Sequence, residues 1–252
     1  MSHVRFFPTR DFRSMVARLG CPLVLLFAAP CLDRGQQRPS IAELLQQFET
    51  TTVFWRQFDV AKTIVATNDT SFLPKLQSWL THEDRHLRGN AAFVFAGLGD
   101  SRGFDVIAAI LRDHSERPEG QGRPGGLWSV QGQIRADRYY ATHLLGDLKD
   151  PRAVPILVPL LKDPEVNYIV PWSLGQIGNR AAIQPLIGTL SDQNPSMRVL
   201  AVYALEELKA TEALPRLRQL LGDNEKCNFG KLESVGQAAQ AAVAKLSSES
   251  VR

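Results

Sequence analysis

Three columns of large apolar residues recur along this chain at one shared spacing, and that recurrence constrains the fold more than any other feature. Leu76, Ile107, Leu157, Leu186 and Leu217 form the first, at steps of 31, 50, 29 and 31 residues. Leu73, Phe104, Val154, Ile183 and Leu214 form a second with the same steps, and Leu80, Leu111, Leu161, Leu190 and Leu221 a third. The long step is an ordinary one enlarged by an insertion of roughly 20 residues, at the upper edge of normal loop length. A unit of this size with two helices cannot bury its apolar faces alone, so neighbouring units must stack.

Within one unit, Val154, Leu157, Val158 and Leu161 make the i, i+3, i+4, i+7 stripe of a helix buried on one side. The partner helix carries Ala141, Leu144, Leu145 and Leu148 on one face. A small-residue column, Ala91, Ala141 and Ala201 with Val170 as the exception, lets such helices approach closely. Asp163, Asp192 and Asp223 follow the third column by two residues, where a carboxylate suits turn hydrogen bonding and helix capping. The predicted fold is all-α, an α-solenoid of about five to six helix pairs.

The quoted pattern, with DPRAVPILVPLLKD and WSLGQIGNRAAIQPLIGTL and a polar residue opening each second helix (Arg88, Arg138, Asn167, Arg198), resembles the HEAT repeats of the phycobilisome-lyase-like type. The resemblance covers most of the chain after about residue 44 and is strongest from Arg88 to Asp223. It implies a superhelix that binds a protein or peptide, because the family consists mostly of adaptors. It also brings in, as the alternative, a lyase-like or chaperone-like protein acting on a large protein substrate, the bilin lyases being those that attach tetrapyrroles to phycobiliproteins.

The start of the chain is different. Residues 1–31 hold four arginines (Arg5, Arg10, Arg13, Arg18), one aspartate (Asp11) and the apolar run LGCPLVLLFAAPC. A basic segment, an apolar run too short to span a bilayer and small residues after it describe an export leader. Either Met1 or Met15 can be its start, cleavage is expected between Ala29 and Arg34, and Cys31 is a candidate lipidation site. The expectation is an exported chain in the periplasm or envelope, touching membrane only through the leader or a lipid anchor. The leader accounts for the whole net charge of +3: from Leu32 onward 25 basic residues face 25 acidic ones. A neutral body lacks the basic footprint of a nucleic-acid binder. Cys21 and Cys31 lie in the leader, so a mature chain keeps Cys227, with Cys31 as well if cleavage precedes it, and the three cysteines form no disulfide framework or C-x-x-C metal pattern.

Residues 32–40 read as a linker and 41–246 as the solenoid, beginning with a covering helix over Ile41–Phe48; 247–252 is expected to fray. The segment 112–136 (RDHSERPEGQGRPGGLWSVQGQIRA), with five glycines and two prolines, is expected to be an irregular insertion. A smaller expansion, DNEKCNFGKLE, sits at the equivalent turn two units later, so both should emerge on one edge of the stack.

Candidate chemistry is sparse. His82, Glu83 and His86 spell H-E-x-x-H, but at a turn and with charged interior positions, so neither a metal nor another cofactor is expected. Deoxyhypusine hydroxylase, similar in repeat length, holds iron with His-Glu pairs at helix starts. The matching positions here are Gly89-Asn90, Tyr139-Tyr140, Tyr168-Ile169 and Val199-Leu200, which cannot do so. HEAT-like DNA glycosylases are disfavoured by the neutral body. The pattern that suits recognition is aromatic: Phe93, His143, Trp172 and Tyr203 share one column almost opposite the buried face, flanked by Tyr139 and Tyr168. Together with Trp128 in the insertion, these are the predicted contacts for a protein or peptide partner, on an open concave face. The expected function is a monomeric, non-catalytic scaffold with no catalytic residues and no nucleic acid partner.

Overall fold

A computed structural model describes residues 39–116, 130–228 and 234–249. Twelve α-helices occur among these residues, with no strand beyond one isolated bridge between Lys226 and Ser234. They are α1 (Ile41–Thr50), α2 (Phe54–Thr67), α3 (Leu73–Leu76), α4 (Arg85–Gly97), α5 (Ser101–Arg112), α6 (Val130–Leu148), α7 (Val154–Leu157), α8 (Val170–Ile177), α9 (Ile183–Thr189), α10 (Pro195–Glu207), α11 (Leu214–Gln219) and α12 (Val235–Glu249). None is long and apolar enough to cross a membrane.

The helices form two layers. The even-numbered helices α2, α4, α6, α8, α10 and α12 pack side by side, each against the next, and α5, α9 and α11 each pack against the even-numbered helix that follows. Helix α1 packs on α2 and closes one end, burying Leu44, Leu45 and Phe48. The all-α stack of helix pairs expected from the columns is the fold observed.

Local chemistry sets the ends of these helices. Ser40 and Glu43 form a reciprocal capping box on α1, with Ser40 N–H donating to Glu43 Oε2 at 2.7 Å. Asp84, Asp100 and Asn194 cap α4, α5 and α10 through their side chains. Prolines break up the other layer. With Pro155 and Pro159 in one unit, only Val154–Leu157 is α-helical, flanked by 3₁₀ turns at Pro151–Ala153 and Val158–Lys162. A proline supplies no N–H and crowds the preceding turn, so the continuous helix expected through Leu161 tightens into 3₁₀ geometry.

The first column is the centre of the core: Leu76, Ile107, Leu157, Leu186 and Leu217 are all fully buried. Each contributes on the order of 1.5–3 kcal/mol. The small column lies at the contact of adjacent long helices, with Ala91, Ala141, Val170 and Ala201 buried. The third column fails at its last member. Leu221 is exposed because α11 ends at Gln219, and the turn that follows points Leu220 inward instead.

The insertion is shorter than expected. Residues 130–136, read as irregular, are the opening turns of α6, which at 19 residues is the longest helix described. At the other end α12 runs to Glu249, so the first part of the expected frayed tail is helical.

Candidate functional site

The aromatic column lies along the even-numbered layer: Phe93 on α4, His143 on α6, Trp172 on α8 and Tyr203 on α10. It is not an open ladder. Phe93, His143 and Trp172 are only 5%, 8% and 6% exposed, and Tyr203 is half-buried. At Phe93 and His143 part of the cover comes from α2, whose Phe58 and Trp55 lie against them, while Trp172 is covered on one face by His143. Phe58 meets Phe93 edge-on at 4.9 Å, and Trp55 meets Tyr140 at 5.0 Å and His143 at 5.5 Å. His143 is the hub, stacked on Trp172 with centroids 4.5 Å apart and planes 27° apart. Such contacts add about 0.5–1.5 kcal/mol beyond the area they bury. Trp55 itself remains 42% exposed.

Two polar atoms of this cluster are left over. His143 Nδ1 and Trp172 Nε1 are buried and make no hydrogen bond among the described residues. Asp147, one turn on, brings Oδ2 within 3.1 Å of His143 Nδ1, close enough for an ion pair but off the line a hydrogen bond needs. Beyond Trp172 a shallow groove opens between α8 and α10, lined by Trp172, Gly175, Leu200, Tyr203, Ala204 and Glu207.

Tyr139 and Tyr168 stack on each other at 5.3 Å and 19°. Burial, reinforced by the neighbouring Tyr168, pushes the Tyr139 hydroxyl far above its usual range, and burial raises Tyr168 as well. Trp128 and Cys31 lie outside the described residues.

Several members of the cluster were not singled out from the sequence. Trp55 is one, and Tyr140, which carries the buried network beneath the column, is another. Its hydroxyl donates to Asn90 Oδ1, Asn90 Nδ2 donates to Gln57 Oε1 and to Phe54 O (2.9 Å each), and Gln57 Nε2 donates to Phe48 O. One signal was available: Asp147 stands four residues after His143, on the same helix face.

The H-E-x-x-H string does not form one helical face. His82 lies in the extended turn before α4, stacked on Trp79 at 5.0 Å, and its Nδ1 accepts the Asp84 N–H. His86, inside α4, points its Nε2 at buried Asp137, 3.5 Å away. Among the described residues no group of three or more metal-ligating side chains converges.

The polar column that opens the second helices has a different job. Arg138 binds Asp163 (2.6 Å) and Glu165 (2.9 Å), and also donates to Leu111 O; Arg198 binds Asp223 (2.9 Å) and Glu225 (2.7 Å). In the earlier unit Arg85 replaces Arg88 in this role, pairing with Asp113 (2.8 Å) and Asp137 (3.1 Å). These clamps tie consecutive turns together.

The chain is similar to known proteins in this repeat region. The description of HEAT repeats matches residues 133–192 and 163–228. Bilin biosynthesis protein PecE of Mastigocladus laminosus is 34% identical over 145 residues, covering 56% of this chain and 49% of that protein. Phycocyanobilin lyase subunit alpha of Picosynechococcus is 38% identical over 95 residues, covering 33% and 35%. The chain thus spans about half, or less, of the length of these curated relatives. An engineered protein of known crystal structure aligns over 81% of this chain and 95% of its own at 18% identity, with a TM-score of 0.41. Repeat columns, helix pairing and the family match converge: residues 133–228 of this chain are HEAT repeats, and part of the chain is similar to a bilin biosynthesis protein and to a phycocyanobilin lyase subunit.

Proposed function

We propose that this chain is a lyase-like HEAT protein that binds a large protein substrate along its even-numbered helix layer. The observation that carries the reading is the aromatic face from Trp55 through His143 and Trp172 to Tyr203, which ends in the groove beside Glu207. Of these four, Trp55 is exposed and Tyr203 half-buried, with His143 and Trp172 buried between them. Accessible aromatics held on a rigid stack are suited to anchoring a partner, because they offer large area at low entropic cost. The similarity to PecE and to phycocyanobilin lyase subunit alpha supports a phycobiliprotein-type substrate over an unrelated one. Mixing the purified chain with the apo α subunit of phycocyanin, followed by size-exclusion chromatography with light scattering, tests this. Co-elution as a defined complex is expected, and separate elution overturns the reading. Adding phycocyanobilin and looking for absorbance that survives acid urea then separates attachment from binding alone.

A second reading keeps the chain as a non-catalytic scaffold of the cell envelope. It is favoured by the four arginines and apolar run of residues 1–31, with Cys31 as a lipid attachment point. Fractionation and N-terminal sequencing decide it. A mature start between Ala29 and Arg34 is expected, and an intact Met1 in the cytosol rules export out.

A further inference from the structure

We propose that the groove between α8 and α10 receives an arginine side chain of the protein partner, an assignment that rests on the protein-binding reading above. Three features of the groove lead to this occupant. Half-buried Tyr203 is its accessible aromatic wall, backed by buried Trp172, Leu200 and Ala204, and Gln176 also lines it. Its floor is Gly175, where an added Cβ would sit in ordinary contact, 3.4 Å from Ala204 Cα and 3.6 Å from Glu207 Cβ. The glycine therefore leaves a slot the depth of one methyl group beside the stem of Glu207. Its rim carries the Glu207 carboxylate, which is exposed and makes no ion pair among the described residues. Its neighbour Glu206, by contrast, is engaged by Lys245 at 2.7 Å.

A carboxylate beside aromatic faces selects a flat cation. Guanidinium stacks on an aromatic face, presents a fork of donors to a carboxylate and is only weakly hydrated, so it loses little on entering such a groove. An ammonium group lacks the plane. A purely apolar side chain would desolvate Glu207 without pairing it. Asp147 adds negative charge further along the same layer, beside His143. Both groups favour a basic partner segment, although the body of the chain is neutral overall.

The test uses the ¹⁵N-labelled full chain and two small probes, N-acetyl-arginine methylamide and its uncharged isostere N-acetyl-citrulline methylamide. The indole N–H signal of Trp172, assigned by its disappearance in Trp172→Phe, reports occupancy. Arginine should give a saturable shift, and citrulline should bind at least about 5-fold more weakly, as expected when a stacked cation and a surface ion pair are both lost. Glu207→Gln should lose the same factor with its circular dichroism unchanged, and Gly175→Leu should block the slot. Equal binding of the two probes, no shift with either, or full arginine binding by Glu207→Gln overturns the assignment. The co-elution experiment with apo-phycocyanin α subunit keeps the two claims apart. Co-elution without an arginine response removes only the groove assignment, whereas an arginine response without co-elution removes only the proposed substrate.

Discussion

Arg138 reaches from the first half of α6 to Asp163 in the turn after α7, with 2.6 Å between Nη2 and Oδ2 and only 4% of the arginine side chain exposed. Arg198 repeats the same 25-residue reach to Asp223. The pair joins two turns of the stack, so it stabilises the spacing between units as well as a single helix. Burial pushes the Asp163 carboxyl up. The hydrogen bond from Arg138, the Glu165 backbone N–H and the guanidinium charge outweigh it, and the net position is below the usual value of 3.8.

Removing Arg138 takes one donor from Asp163 and one from Glu165, which keep the Glu165 N–H and the Gln131 amide respectively, and takes the side-chain donor from the Leu111 carbonyl. Arg138→Met should destabilise the chain by about 2–3 kcal/mol, at the low end for breaking a buried pair because the acids are partly exposed. The depressed Asp163 contributes stability that is fully present above pH 3.8 and is lost as pH falls through its lower folded value. Urea melts from neutral pH down to about pH 3 should show that acid-dependent part in the parent and lose most of it in the variant.

Gly103 marks the tightest helix contact among the described glycines. A Cβ there would lie 2.1 Å from Ala92 O and 2.4 Å from Ala96 N, both backbone atoms of α4. Gly103→Ala must push α5 away from α4, and a cost of at least about 3 kcal/mol is expected, above the usual range for overpacking. Gly178 is the control. Its φ of 73° ends α8 in open space, so Gly178→Ala should cost only about 1 kcal/mol, from backbone strain. Equal melting temperatures for the two variants would contradict this.

Trp172 and Tyr203 now separate by burial. Trp172→Ala should cost about 3–5 kcal/mol, comparable to Leu174→Ala in the same helix at about 2–5 kcal/mol. Tyr203→Ala, half-buried at the groove, should stay near 1 kcal/mol. Thermal melts of the three variants check the order. A Trp172→Ala protein as stable as the parent would mean that the indole is not part of the core.

At alkaline pH the tyrosines become the sensitive groups. Burial raises Tyr139, Tyr140 and Tyr168, with Asp147 adding to the effect at Tyr140 and the Asn90 hydrogen bond opposing it. A raised phenol favours the neutral form, so this stability is complete below the usual value of 10.0 and is lost as pH rises through the folded values. Absorbance at 295 nm should show most tyrosines ionising late and together with unfolding above about pH 11. Early, non-cooperative ionisation of three or more of the four tyrosines would refute the stack.

Much of the fold was legible in the residues themselves, because burial repeats with the unit. Leu76, Ile107, Leu157, Leu186 and Leu217 are fully buried, as a shared spacing requires when each unit packs on copies of itself. The same logic misses what breaks the repeat. Leu221 is exposed because α11 ends early, and residues 130–136 are helical despite their loop-like neighbours, since α6 has a helix on either side to pack against.

The candidate site divides along the same line. Periodicity alone put Phe93, His143, Trp172 and Tyr203 in one column on the face opposite the small residues. Whether that face is open depends on what covers it. Over Phe93 and His143 the cover includes Trp55 and Phe58 of α2, bulky residues that the repeat columns do not contain. The partners of Arg138 and Arg198 were likewise hidden, because a contact 25 residues away exists only once two turns are stacked. Sequence periodicity determined which residues share a face. Stacking of the units decided which faces are closed, since burial and ion pairing depend on atoms the local pattern does not contain.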